Sequence, residues 1–345
     1  MNIRQKTTIA LLLLWCSTAF ADQTPFVSNV SNVGTTAAAF LNMGVGARAN
    51  AMGGAFTAVA NDATALFWNP AGITRCPHPE VTINHIDWFL DIYHEFVGAV
   101  IPAGRHTFGA AITYLGVPDQ IVRTIDQPEG TGNFYNASDL ALGLSYGFQF
   151  TDQFSLGLTA KFVREQIYNT SGSAAAVDLG AFYQPGHFKW LTLGIQIANF
   201  GSNMHLTGQD VKVKVDTDPA HKSNDNISAT IDTDAWSLPL IFRFGLAATP
   251  VQTKMHRLIT AIDVIHPSNN TESLNLGLEY TFWGTFALRT GFHSLFERDY
   301  AETGGFTFGG GINLFTAGTL ITLDYAYRDF GVLNCVSRIS CGIRF

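Results

Sequence analysis

Lys161, Glu165, Asp178, Arg243, Asp263, Glu279, Arg289, His293, Asp324, Arg328, Arg338 and Arg344 are ionisable residues set into otherwise apolar, glycine-rich segments. Groups of that kind can do two things. They can brace one part of a fold against another as salt bridges, or they can line a path for an ion or a polar substrate. Catalysis would need a nucleophile with a base beside it. The chain has no G-x-S-x-G, no H-E-x-x-H and no P-loop with its lysine. Asp329-Phe330-Gly331 is kinase-like in letters alone, because no glycine-rich loop or catalytic-loop motif accompanies it. His78 and His85, or His94 and His106, lack ligand spacing. The aspartates at 210, 216, 218, 225, 232 and 234 match no dense calcium loop and fit a solvated face. The expectation is a non-enzymatic chain with no cofactor and no metal.

The elements that carry these charges have period two. Leu140, Leu142, Leu144, Tyr146, Phe148 and Phe150 alternate with Ala141, Gly143, Ser145, Gly147 and Gln149. Leu274 to Phe282 and Ile321 to Tyr327 repeat the pattern. Alternation puts one apolar and one small or polar face on each strand. The apolar face is too large and aromatic for one small core, and the other is too glycine-rich for a wet surface. A transmembrane antiparallel β-barrel, all-β in class, satisfies both faces: lipid outside, polar lumen inside. The charges named above then face inward or lie near the rims, since a charge on the lipid face costs about 2–4 kcal/mol at midplane. Charged residues make up only 14% of the chain, against roughly 25% in soluble domains. Net charge is −7 with no basic cluster, which argues against a nucleic-acid partner.

Met1 to Ala21 has the form of a secretory signal peptide. Arg4 and Lys6 form the positive region, Ile9 to Trp15 the apolar core, and Ala19-Phe20-Ala21 the cleavage site. An exported chain without a membrane-spanning helix but with membrane-strand patterning belongs in a bacterial outer membrane, with its lipid as one partner. Cys76, Cys335 and Cys341 would remain after cleavage, an odd number that cannot form a closed disulfide framework. Cys335 and Cys341 share one strand, about 20 Å apart, and cannot pair with each other. Both are expected on the lipid face.

Fourteen strands are expected, at 80–89, 92–101, 105–116, 137–150, 153–168, 174–185, 189–200, 237–249, 255–266, 272–283, 286–295, 303–314, 318–329 and 334–345. Connections after even strands are all short. Those after odd strands are mostly longer, with 117–136 and 201–236 the extremes. Bacterial outer-membrane barrels have short periplasmic turns and long outer loops, so both termini are expected in the periplasm. Val211, Val213 and Val215 alternate with Lys212 and Lys214, which suggests an extra hairpin above the membrane. Three domains are expected: 1–21 signal peptide, 22–79 plug or hatch, and 80–345 barrel.

The segment ahead of the strands has no alternation. It is rich in small residues, with helical pieces expected at Ala47–Met52 and Ala63–Trp68, the latter capped by Asn61-Asp62 and stopped at Asn69-Pro70. Residues 22–75 are expected at the periplasmic side, partly plugging the lumen, with Arg48 paired to Asp178 or Glu279. Arg48, Gly53, Gly54, Asn61, Asp62, Asn69, Pro70, Ala71 and Gly72 are the candidate plug or gate residues, and Phe345 the barrel-assembly end.

Gly46-Ala47-Arg48-Ala49, Met52-Gly53-Gly54-Ala55-Phe56, Ala60-Asn61-Asp62-Ala63 and Trp68-Asn69-Pro70-Ala71-Gly72 resemble the PorV/PorQ family of outer-membrane proteins, within the FadL-like group of fourteen-stranded barrels. Leu323 to Gly331 and the closing Gly342-Ile343-Arg344-Phe345 resemble that family's end. Asn61 departs from the acidic residue common there, and Cys335 and Cys341 are unusual in a final strand. The resemblance implies a non-enzymatic component of type IX secretion that holds exported proteins at the outer membrane. It equally implies a FadL-like channel that admits hydrophobic small molecules past the Asn69-Pro70-Ala71 gate. A purely structural role accounts for the same residues. Asn69-Pro70-Ala71 is shared by both families and does not choose between them.

Overall fold

In the computed structural model, residues 32–216, 227–296, 305–331 and 335–345 are described. The expected signal peptide, Met1 to Ala21, lies outside the described residues.

Fourteen long strands form the wall. They are β1 (Glu80–Asp87), β2 (Tyr93–Ala103), β3 (His106–Gly116), β4 (Ala137–Thr151), β5 (Phe154–Ile167), β6 (Thr170–Tyr183) and β7 (Leu191–Gly201). The second half is β8 (Ile241–Gln252), β9 (His256–Pro267), β10 (Ser273–Phe282), β11 (Phe286–Leu295), β12 (Phe306–Thr316), β13 (Thr319–Asp329) and β14 (Cys335–Arg344). Each pairs antiparallel with its sequence neighbour, and β14 returns to β1 from Glu80↔Arg344 to Asp87↔Ser337. Closure is what a bilayer demands, because an open strand edge has no water to satisfy it.

The alternation read from the sequence becomes inside and outside. Leu142, Leu144, Tyr146, Phe150, Leu156, Leu158 and Phe162 are exposed on the outer face, while Ser145, Thr159 and Asp178 between them are buried. Cys335 is exposed and Cys341 half-buried on the outward face of β14, whereas Arg338 and Ser340 point in and are buried.

Three details differ from expectation. β6 begins at Thr170, not 174, so only Tyr168 and Asn169 connect it to β5, with Tyr168 in the left-handed region (φ 50°). Thr170-Ser171-Gly172-Ser173 carries no apolar alternation and looks like a loop, but its backbone pairs with β5 up to Ile167↔Thr170. The long outer loop is tied down: Thr207 and Gly208 pair with Ser171 and Thr170, and Lys212–Val215 pairs with Ile227–Thr230 as the expected hairpin. The third concerns the plug. Its first described stretch is not on the periplasmic side. The Ala37 amide donates to the Ser237 carbonyl, the Ala38 amide to Glu165, and the Asn269 amide group to the Thr36 hydroxyl. All three partners lie at the long-loop end. The segment then runs down the lumen to Pro79, whose carbonyl accepts from the Phe345 amide at the short-turn end. Composition carries no signal of depth within a lumen; partners spread along the wall decide it.

Candidate functional site

Inside the barrel the segment forms two short helices, α1 (Ala47–Ala51) and α2 (Ala65–Trp68), followed by a 3-10 turn at Pro70–Arg75. Alanine and glycine dominate where its backbone meets the wall, while Met52, Phe56, Leu66 and Trp68 pack together as its own buried core. Ala47, Ala49, Ala51, Ala55, Ala60, Ala63, Ala65 and Ala71 are all buried.

Arg48, on α1, is the hub of an ionic network. Its Nε and Nη2 donate to the two carboxylate oxygens of Glu279 on β10 at 2.8 and 2.9 Å. Its Nη1 donates to Asp62 at 2.9 Å and to the Asn61 amide oxygen at 2.7 Å. Glu279 also accepts from Arg289 Nε at 2.7 Å, and Arg289 Nη1 reaches Asp324 at 2.6 Å. Of the two partners expected for Arg48, Glu279 is the one. Asp178 is taken by Lys161 at 2.6 Å and by the Asn199 amide. Asn61 needs no charge, since one guanidinium already holds two carboxylates. Asp62 accepts from the Thr64 amide and hydroxyl, so it holds the turn ahead of α2; the helix starts at Ala65, not Ala63, with Thr64 at its cap position and no side-chain cap bond. The network borders a polar cavity of about 310 Å³ whose lining includes Glu80, Arg257, Arg344 and the turn 252–256, so it faces the short-turn end.

Asn69 has an extended backbone (φ −169°), as a residue before proline should. Its amide nitrogen donates to the carbonyls of Thr57 and Ala181, and its oxygen accepts from the Ala71 amide. The motif therefore stitches plug to wall. Pro70 and Ala71 press on glycines: a Cβ on Gly157 would lie 2.2 Å from the Pro70 carbonyl carbon, and one on Gly180 would lie 2.3 Å from the Asn69 oxygen. Gly194 and Gly245, paired across β7 and β8, receive Thr57 and Ala58 in the same way. Gly277 and Gly291, paired across β10 and β11, receive Met52 and Gly53. Gly53 and Gly54 have positive φ (66° and 75°) and touch the wall directly, with the Gly53 carbonyl 3.0 Å from His293 Nδ1. Gly72 fits against the Ala60 carbonyl.

One further contact uses Asp263, already marked as an inward charge, and the rest use polar residues that the sequence left unmarked. Asp263 accepts the amides of Phe56 and Thr57. Ser340 accepts the Ala47 amide, the Thr307 hydroxyl donates to the Ala51 carbonyl, and Gln196 donates to the Phe67 carbonyl. Serine, threonine and glutamine on a polar strand face carry no distinguishing signal. The wall glycines did carry one, since they recur at inward positions of successive strands. Cys76, at the end of the segment, is buried, and burial pushes its thiol well above the usual range. Among the described residues no three His, Cys, Asp or Glu gather as a metal site.

A closed fourteen-stranded barrel with a lipid-facing apolar exterior and an ion-paired segment filling the lumen is a bacterial outer-membrane protein. The family model for the type IX secretion system protein PorV matches residues 27–218, and the chain belongs to that family. No curated protein sequence matches the chain. Its fold is similar to the toluene transporter TodX of Pseudomonas putida (14% identity, TM-score 0.52, covering 87% of this chain and 97% of that one). It is similar also to the toluene transporter TbuX of Ralstonia pickettii (13%, TM-score 0.51, 88% and 98%). A FadL homologue of Pseudomonas aeruginosa matches with 12% identity and a TM-score of 0.51, over 87% of this chain and 98% of that one. At these identities the likeness is one of fold.

Proposed function

We propose that this protein acts in type IX secretion by holding exported proteins at the outer face of the membrane, with residues 22–79 as a fixed plug and not a gate. The observation that carries this reading is the outer hairpin. Among the described residues, Lys212–Val215 and Ile227–Thr230 form a ladder only with each other, and they are exposed almost throughout. A two-stranded ribbon has two edges with unpaired backbone groups, and such an edge accepts an added strand. Lys212 and Lys214 on it, with Asp210 and Asp232 close by in sequence, would let a mixed-charge partner select its register.

The filled lumen supports the same reading. For uptake, Ile121, Val122 and Phe134 would line a pocket that ends at Asn69-Pro70-Ala71. Instead Phe134 is 58% exposed in a small ribbon with Ile121, and Asn69 and Ala71 are fully buried against the wall. The 310 Å³ cavity and the 210 Å³ cavity at the outer end, beside Glu165 and Trp236, do not include the Asn69 turn. Deleting residues 211–231 from the full chain is the test. Lost attachment of exported proteins, with the barrel still assembled, is the expected outcome. Unchanged secretion, together with a hydrophobic molecule bound in the lumen, sinks the proposal and promotes uptake.

A further inference from the structure

Arg338 on β14 is 2% exposed and points into the lumen. It makes no ion pair with a carboxylate among the described residues, and its Nε and Nη1 have no hydrogen-bond partner. Around it are further orphans. Asn84 on β1 is 2% exposed with neither amide atom partnered, and His94 on β2 is 1% exposed with neither ring nitrogen partnered. The register brings the three together: Ile86 lies opposite Arg338 on one side and opposite His94 on the other, and Asn84 is the next inward residue along β1. The outer side is roofed by aromatic rings. Trp88 lies 5.8 Å from the Arg338 guanidinium carbon and packs edge-on against Phe330.

A guanidinium cannot lose its proton, and a buried charge without a partner is among the least tolerated features of a protein interior. Elsewhere in this lumen Arg48, Arg289 and Arg344 each meet a carboxylate, and Arg243, whose Nε is also unpartnered, still reaches the Gln196 oxygen at 2.7 Å. The unpartnered atoms around Arg338 are mainly donors, on the guanidinium, the amide and the imidazole. We propose that Arg338, Asn84 and His94 form a binding site for a small inorganic anion such as chloride, which serves as the counter-charge that no carboxylate among the described residues supplies. The near-complete burial of all three favours a monatomic ion over a carboxylate on a long chain, because a chain would need an exit through the roof or the plug.

Two measurements on the full-length protein decide it. The first is the thermal midpoint of barrel unfolding, read from the mobility shift of the heated protein on a gel, in chloride and in isethionate at equal ionic strength. The wild type should be more stable in chloride by ~5 °C or more, as expected for a ligand that binds only the folded state. Arg338→Met, which removes the cation, and Asn84→Asp, which supplies a fixed negative charge, should each lose that difference. A wild type indifferent to the exchange, or variants that keep the difference, overturns the proposal. The second needs no variant: crystals grown in sodium bromide should show an anomalous peak within hydrogen-bonding reach of Arg338. Water at that position without an anomalous signal, or bromide only on the outer surface, also overturns it.

Discussion

Glu279 accepts hydrogen bonds from two guanidinium groups, one on the plug and one on the wall, with its side chain 3% exposed. Its carboxylate is what makes both cations tolerable there. Glu279→Gln leaves Arg48 short of its main partner and Arg289 with Asp324 alone, and breaking such a buried pair costs about 3–5 kcal/mol. The expected result is a large fall in the midpoint of heat or urea unfolding. Arg48→Met combined with Glu279→Gln should cost less than the sum of the two single changes, because the second change no longer strands a charge; additive losses would refute the coupling. Cys76 gives a milder test. Its pKa is raised by burial, so the thiolate forms only at a pH above the raised value, and the thiol is inert throughout the range where a free cysteine begins to ionise. Cys76 should therefore resist maleimide at pH 8.5 in the folded protein and react after denaturation. Labelling of native protein at Cys76 would show that the plug opens.

The plug and the wall fit because the wall has no side chains where the plug's backbone lies. Gly147 pairs with Gly157 and Gly157 with Gly180, which makes a bare strip across three strands. The Pro70–Arg75 turn occupies that strip. Gly180→Ala places a methyl group 2.3 Å from the Asn69 oxygen, so that oxygen must move and with it the Asn69 bonds to Thr57 and Ala181. Overpacking of this kind costs about 1–3 kcal/mol. Gly310→Ala is the matched control, since a Cβ there meets only the Ala287 carbonyl at 3.5 Å. A thermal midpoint that falls for Gly180→Ala and holds for Gly310→Ala is expected. Equal effects would mean that strand propensity, not the plug contact, sets the cost.

At the scale of the molecule, the plug is tied to the wall at both ends of the lumen and in its middle. Thr36, Ala37 and Ala38 bond near the outer rim, Phe56 and Thr57 bond to Asp263 midway, and Pro79 meets Phe345 at the periplasmic rim. Ties spread over the full depth predict a closed pore. In a planar bilayer the full-length protein should show no steady ion conductance. Asp263→Ala, which releases the Phe56 and Thr57 amides, should produce intermittent openings. Steady conductance by the unmodified chain would mean that the segment leaves the lumen in a membrane.

The number of strands and the alternation of faces along them were legible in the sequence. Period-two alternation is local, and lipid enforces it along most of the wall. Arg48, Asp62 and Asn69 stood out in the sequence because their motif is long and unbroken by alternation. Four things were decided only by the tertiary structure: the choice of Glu279 over Asp178 as the partner of Arg48, the depth of Thr36 to Ala38, the early start of β6 at Thr170, and the lack of a carboxylate beside Arg338 among the described residues. Each depends on which strands of a closed sheet stand opposite one another around the lumen. That relation spans hundreds of residues and has no local period. The sequence therefore determined that the charges face inward, and only closure of the barrel around the plug decided which charges meet.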